Sequence, residues 1–123
     1  MTQYVNYKNG VIRISSSRTL GSGKVVGNLK NDVIREGVSP SLGSGRAVAN
    51  TKDGVIREGS SPSVGAGHIV GNVKNGYVYE STSPSVGSGK KVAAVKDFPI
   101  YGMEREKDEN IVAAWNFLVK KIF

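Results

Sequence analysis

Lys24 to Glu36 reads KVVGNLK, then ND, then VIRE: a run rich in β-branched residues, the pair Asn31 and Asp32, and a second run of the same character. Two such runs joined by two residues that tolerate positive φ read as a β-hairpin with a type I′ corner. A two-residue link suits strands paired about 4.8 Å apart within one sheet, and falls short of the roughly 10 Å between packed sheets. The two runs are therefore neighbours in a single sheet.

The pattern then returns every 22 residues without insertion or deletion, in units Gly10 to Asn31, Asp32 to Asp53, Gly54 to Asn75 and Gly76 to Asp97. Their corners are Asn9 with Gly10, Asn31 with Asp32, Asp53 with Gly54 and Asn75 with Gly76. A half unit precedes them, with Tyr4 in the column of Val26, Tyr7 in that of Leu29 and Lys8 in that of Lys30. A last hairpin is expected from Lys90 to Lys96 against Pro99 to Gly102, where Pro99 occupies the valine column and cannot donate a ladder hydrogen bond. The sum is a mainly β chain of about ten short strands in tandem hairpins, forming a barrel-like or meander sheet.

Core candidates are the apolar columns: Val11, Val33, Val55 and Tyr77; Ile12, Ile34, Ile56 and Val78; Leu20, Leu42, Val64 and Val86; Val26, Val48, Val70 and Val92. Between hairpins run the connections Ser15 to Gly23, Gly37 to Gly45, Gly59 to Gly67 and Ser81 to Gly89, the last three carrying Ser-Pro-Ser, an apolar residue and Gly-x-Gly. These are expected to be ordered Ω-like loops with Leu42, Val64 or Val86 tucked beneath. The first copy has Arg18 in place of the proline.

The repeat ends at Met103, and residues 103–123 of this single domain are expected to cap or plug repeats 1–102. Acidic residues crowd Glu104 to Glu109, Asp108 is the expected N-cap, and a helix is expected from Asn110 to Phe123 with Lys120 and Lys121 near its end. Its polar stripe is narrow: Glu109, Ala113, Asn116 and Lys120. A helix so apolar elsewhere must be buried on several sides. Either the sheet curls around it as a shell, or a second subunit covers it. Near-identical units make exchange between subunits cheap, so a homo-oligomer is expected.

Seventeen basic against ten acidic residues give a net charge of +7, which admits a polyanion or an anionic surface as partner. With no cysteine there is neither a disulfide framework nor a thiol site. Met1 to Gly10 lacks the apolar run of a secretory leader, and no stretch approaches about 18 apolar residues, so a cytoplasmic chain without membrane insertion is expected.

Signals for chemistry are sparse. Gly21 to Lys24 and Gly87 to Lys90 read Gly-Ser-Gly-Lys, but a phosphate loop needs an earlier glycine, a following Ser or Thr and a helix, whereas Val25 and Lys91 and a strand follow here. His68 is the only histidine and shares a column with Lys24, Arg46 and Lys90, which marks an exposed basic position. Glu36, Glu58 and Glu80 recur as a strand-end column, and the serines lack a base. Tyr4, Tyr7, Tyr77, Tyr79 and Tyr101 offer a sugar-binding face only if they gather; edge packing is the ordinary role. Ser39, Ser61 and Ser83 precede prolines as turn formers do. No catalytic, cofactor-binding or metal-ligating residues, no cofactor and no small-molecule substrate are expected.

The basic columns are the stronger signal: Lys8, Lys30, Lys52, Lys74 and Lys96; Arg13, Arg35 and Arg57; Lys24, Arg46, His68 and Lys90. Side by side, each becomes a row of like charge that an anion, or the glutamate column, would neutralise. The repeat Gly-x-Val-Tyr-x-x-x-Ser-Pro-Ser-x-Gly at Gly76 to Gly87, with the ending Gly102-Met103 and Asn110 to Phe123, resembles short uncharacterised 22-residue-repeat proteins of gut Bacteroides-type bacteria. That resemblance implies no enzymatic activity, no cofactor and no site residues. The expected function is a non-enzymatic structural or protein-interaction module that self-associates. The alternative is polyanion binding, to nucleic acid or acidic glycan, through Lys30, Lys52, Lys74, Lys96, Arg35 and Arg57.

Overall fold

The computed structural model describes residues 2–123. Strands β1 (Tyr4–Lys8), β2 (Val11–Ser15), β3 (Lys24–Lys30), β4 (Val33–Glu36), β5 (Arg46–Lys52), β6 (Val55–Glu58), β7 (His68–Lys74), β8 (Tyr77–Glu80) and β9 (Lys90–Ala94) pair antiparallel in chain order, so the repeat is a meander. All four expected corners form. Asn9 and Gly10 sit at φ 53° and 84°, Asn31 and Asp32 at 52° and 62°, Asp53 and Gly54 at 51° and 84°, Asn75 and Gly76 at 53° and 81°.

The last hairpin does not form. Val95–Asp97 makes a 3₁₀ turn, and β10 (Ile100–Tyr101) runs parallel to β1 at the opposite edge of the sheet, with Val5 beside Ile100 and Asn6 beside Tyr101. The corner position here falls on Asp97 and Phe98, and Phe98 stays at φ −121°, the side of the map a bulky residue prefers. Without a second positive-φ residue the chain cannot reverse in two steps.

That failure bends the sheet. A flat ten-stranded sheet would be roughly 43 Å wide, whereas the six Cα steps from Ala94 to Ile100 reach at most about 22 Å, so the two edges are drawn toward each other. Each unit also carries a β-bulge: Ile12 faces Gly27 and Arg13 faces Val25, leaving Val26 unpaired, and Val48, Val70 and Val92 repeat the pattern. One extra residue per unit strengthens the twist and bends the bulged strand. The valine column is thus held for curvature as much as for packing. The shell is not closed, since β9 bonds only to β8 and β10 only to β1.

Inside the curl lies helix α1 (Asp108–Ala114), continued by a π-helical turn at Trp115–Val119. No residue from Glu109 to Val119 is exposed, and α1 packs on β4 to β7 and on the 3₁₀ turn, so the chain's own sheet supplies the cover the apolar helix needs. Ile12, Ile34, Ile56 and Val78 are fully buried against Val112, Ala113 and Ala114. Room for the helix comes from small residues on the inner face: Gly27, Ala49, Gly71 and Ala93. A β-carbon on Gly27 would fall 2.7 Å from Leu118 Cδ1, and one on Gly71 would overlap the Phe123 ring.

The helix differs from expectation in two respects. It begins at Asp108 and is over by Val119, because Asn116 Oδ1 accepts from the N–H groups of Ile122 (2.6 Å) and Phe123 (3.1 Å) and turns Lys120 to Phe123 away as an extended tail. The stripe Glu109, Ala113, Asn116 faces protein rather than water: Ala113 is fully buried and Asn116 nearly so. Glu109 and its neighbour Asn110 are used for docking. Asn110 accepts a hydrogen bond from Thr51 Oγ1 and donates to Asp32 Oδ1 (3.0 Å), while the Gly54 N–H donates to Glu109 (3.0 Å). Thr51 stands where other units have Leu29 and Val73, and Asp32 where other corners have glycine. The departures from the repeat are the places where the helix is fastened.

The nine-residue loops do not pack beneath themselves either. Leu20, Leu42, Val64 and Val86 remain 37–44% exposed, and three of them lie over corners: Leu42 against Gly10 and Val86 against Gly54, each one hairpin further back than the hairpin leading into the loop, and Leu20 against Gly102, which stands in for the missing corner. The loops form an outer layer over the convex face, where Val11, Val33 and Val55 are buried. Beyond the last unit no loop follows, so Gly76 meets nothing within 4 Å and Tyr77 is 41% exposed.

A candidate polyanion-binding face

What holds the loops in place is a column of four buried asparagines that the sequence reading passed over. Asn28 Nδ2 donates to the Ser44 carbonyl (3.0 Å) and its Oδ1 accepts from the Gly43 N–H (3.1 Å). Asn6 does the same for Ser22 and Gly21, Asn50 for Ala66 and Gly65, Asn72 for Ser88 and Gly87. Each is at most 1% exposed. The fifth copy, with no loop to brace, has Ala94. The signal was available as invariance in four copies and loss in the fifth.

Alternation along a strand puts the residue two places after each asparagine on the same outer face. That residue is Lys8, Lys30, Lys52 or Lys74, each exposed at a strand end. Cross-strand pairing sets Arg13 opposite Asn6, Arg35 opposite Asn28 and Arg57 opposite Asn50, again on the outer face. Lysine stems run along the Gly-x-Gly segments: the position of a Gly43 β-carbon lies 3.6 Å from Lys30 Cδ, and that of Gly21 lies 3.1 Å from Lys8 Cδ. Lys30 and Arg35 share a hollow of about 250 Å³ with Val33, Gly43 and Pro62. Lys96 leaves the row, because β9 has ended and the 3₁₀ turn carries it; it stays beside Asn75 and Gly76.

Among the described residues two side-chain ion pairs form, Arg46 with Glu36 (2.9 Å) and Lys107 with Asp32 (3.1 Å). None of Lys8, Lys30, Lys52, Lys74, Arg13, Arg35 and Arg57 has a carboxylate within 4.0 Å. Equivalent cations recur at every second strand, each offset by two residues along the strands, roughly 12 Å apart. The glutamate column therefore does not neutralise these rows. Instead Glu36 is occupied by Arg46 at the other end of the strands.

The remaining sequence signals disperse. Tyr4 and Tyr101 meet edge to face (6.0 Å) under Arg18, whose guanidinium lies 5.0 and 5.6 Å from their centroids, so the arginine that replaces proline covers the β1–β10 seam. Lys91 sits over Tyr77 (3.6 Å), and Tyr7 donates to Glu106 (3.0 Å), so the tyrosines do not gather into one face. Burial, then the Glu106 hydrogen bond and charge, push the Tyr7 phenol up to about 12. Gly-Ser-Gly-Lys leads into strands β3 and β9, the wrong setting for a phosphate loop. Among the described residues no three His, Asp or Glu side chains gather as a metal site, and no helix is long and apolar enough to cross a membrane.

No protein-family profile, curated protein or solved structure matches the chain.

Proposed function

We propose that the protein is a non-enzymatic binding module whose convex face engages a polyanion, a nucleic acid or an acidic glycan. The supporting observation is the set of seven outward cations with no carboxylate within ion-pair distance, held in rows by a rigid sheet. Cations roughly 12 Å apart along each row suit a flexible chain of charges, and binding of that kind weakens steeply with salt through counterion release. The test is affinity for heparin and for single-stranded DNA as a function of salt. The triple variant Lys30→Ala, Lys52→Ala, Lys74→Ala should flatten the logarithmic salt slope by about 2 to 3, near one per lost contact. The variant Lys120→Ala, Lys121→Ala, at the far rim, should change it by much less. Equal losses from both variants would reduce the attraction to net charge and defeat the assignment.

A second reading, self-association, has one observation in its favour: β9 presents an unpaired edge. Lys90 and Lys91 on that strand work against flat edge-to-edge addition. Sedimentation of the chain against concentration tests it, and a Val92→Pro variant would abolish a dimer built on that edge.

A further inference from the structure

The geometry points to a second binding site at the open mouth of the shell opposite the corners, where two unneutralised carboxylates, a free amide donor and two phenylalanines converge on one cavity suited to an amino-terminal residue with an apolar side chain. This cavity, of about 530 Å³, lies between the ends of β6 to β8 and the end of the helix, and is lined by Glu58, Glu80, Asn116, Phe117, Lys121 and Phe123 among others. Its volume falls in the range that holds small organic ligands.

The repeat provides its own control for the charges. Glu36 is engaged by Arg46, but the same column offers His68 to Glu58 and Lys90 to Glu80, and neither comes within 4.0 Å. Glu58 and Glu80 stand on either side of β7, offset by two ladder positions along it, with their backbones roughly 12 Å apart, a span two extended glutamates still close around one ammonium. Asn116 is 9% exposed, and its Oδ1 is fixed by the N–H groups of Ile122 and Phe123. Its Nδ2 makes no hydrogen bond among the described residues, and since no fully buried polar side-chain atom there goes unpaired, it is the solvent-reached end of the amide, on a residue that lines the cavity. A bound oxygen would accept from it, with Lys121 beside. Phe117, Phe123, Ile69 and Val70 supply an apolar floor. Ammonium, adjacent carbonyl or carboxylate oxygen, and apolar side chain together describe a free apolar amino acid or the first residue of a peptide.

Titration of the full chain with phenylalanine amide, followed by amide chemical shifts, tests this. Saturable shifts confined to the residues that line the cavity, Glu58, Glu80, Asn116 and Phe123 as well as Ile69 and Phe117, are expected, with N-acetyl-phenylalanine amide at least tenfold weaker because it lacks the charge. Glu58→Gln with Glu80→Gln, both exposed at strand ends, should weaken phenylalanine amide tenfold or more. Free phenylalanine binding more tightly than a Phe-Gly-Gly peptide assigns the amino acid; the reverse order assigns the peptide terminus. Equal binding of the acetylated probe, shifts elsewhere, or no saturation up to about 10 mM, tenfold above a 1 mM affinity, would overturn the proposal.

Discussion

At Asn9 with Gly10, Asn31 with Asp32, Asp53 with Gly54 and Asn75 with Gly76 the chain reverses in two residues; at Asp97 with Phe98, the same offset in the fifth copy, it does not. The sequences leading into all five positions share a valine and lysine pattern, although β9 stops at Ala94 where the other four strands run on to a lysine. What separates them is whether the second residue can hold positive φ, a conformation that costs a bulky L-residue roughly 1–2 kcal/mol and glycine almost nothing. Asp32 is the intermediate case, and its hydrogen bond from Asn110 and ion pair with Lys107 offset the strain. Where the turn fails, Ile100 and Tyr101 are released to pair with β1, so the array draws its edges together because one hairpin was withheld.

The largest expected effect comes from giving the fifth copy its corner. Phe98→Gly restores an Asp-Gly pair but removes a ring that packs against Trp115 at 5.7 Å. A loss of about 3–5 kcal/mol is expected from urea unfolding, with faster amide exchange at Val5 and Ile100. Unchanged amide exchange at Val5 and Ile100 would mean that the corner and the seam are unrelated.

Next is the bracing column. Asn50→Ala strands the Gly65 N–H and the Ala66 carbonyl and should cost about 2–3 kcal/mol, whereas Ala94→Asn, with no loop to receive it, should stay within about 0.5 kcal/mol of the parent. Similar costs at both sites would show that the fifth copy is not a terminus.

Smaller effects follow from titration. The hydrogen bond from Asn110, then Lys107, hold the Asp32 carboxyl below its ordinary 3.8, against an opposing burial effect. A lowered folded-state value means that this stability is present above 3.8 and drains as pH falls through the folded value. Asp32→Asn should flatten the acid limb of an unfolding-against-pH curve. Tyr7 acts at the other end: its phenol, raised from 10.0 to about 12, contributes stability that is fully present below pH 10 and is lost as pH rises from there through 12. Tyr7→Phe should remove that slope, while an unchanged slope would place the alkaline loss elsewhere.

Much of this was legible in the residues. Corners announce themselves because few side chains accept positive φ, the isoleucine column follows from period-two alternation, and Trp115, Phe117 and Leu118 demand cover wherever they lie. Other features were hidden for physical reasons. Asn6, Asn28, Asn50 and Asn72 read as ordinary polar strand residues until the loop 15 or 16 positions later folds back over them. The stripe Glu109, Ala113, Asn116 looked like a wet face, because a one-dimensional pattern cannot tell water from the Gly54 N–H that meets Glu109 or the Ile122 and Phe123 N–H groups that meet Asn116. Of the candidate face, the columns Lys30, Lys52 and Lys74 with Arg35 and Arg57 were readable, but their lack of carboxylate partners was not.

The enclosure of the helix is tested most directly by removing it. A chain ending at Met103 leaves Ile12, Ile34, Ile56 and Val78 facing an empty interior, and it should lose its cooperative thermal transition and its β-sheet circular dichroism, or aggregate. A soluble monomer of residues 1–103 with the parent's β-sheet signal would contradict the account.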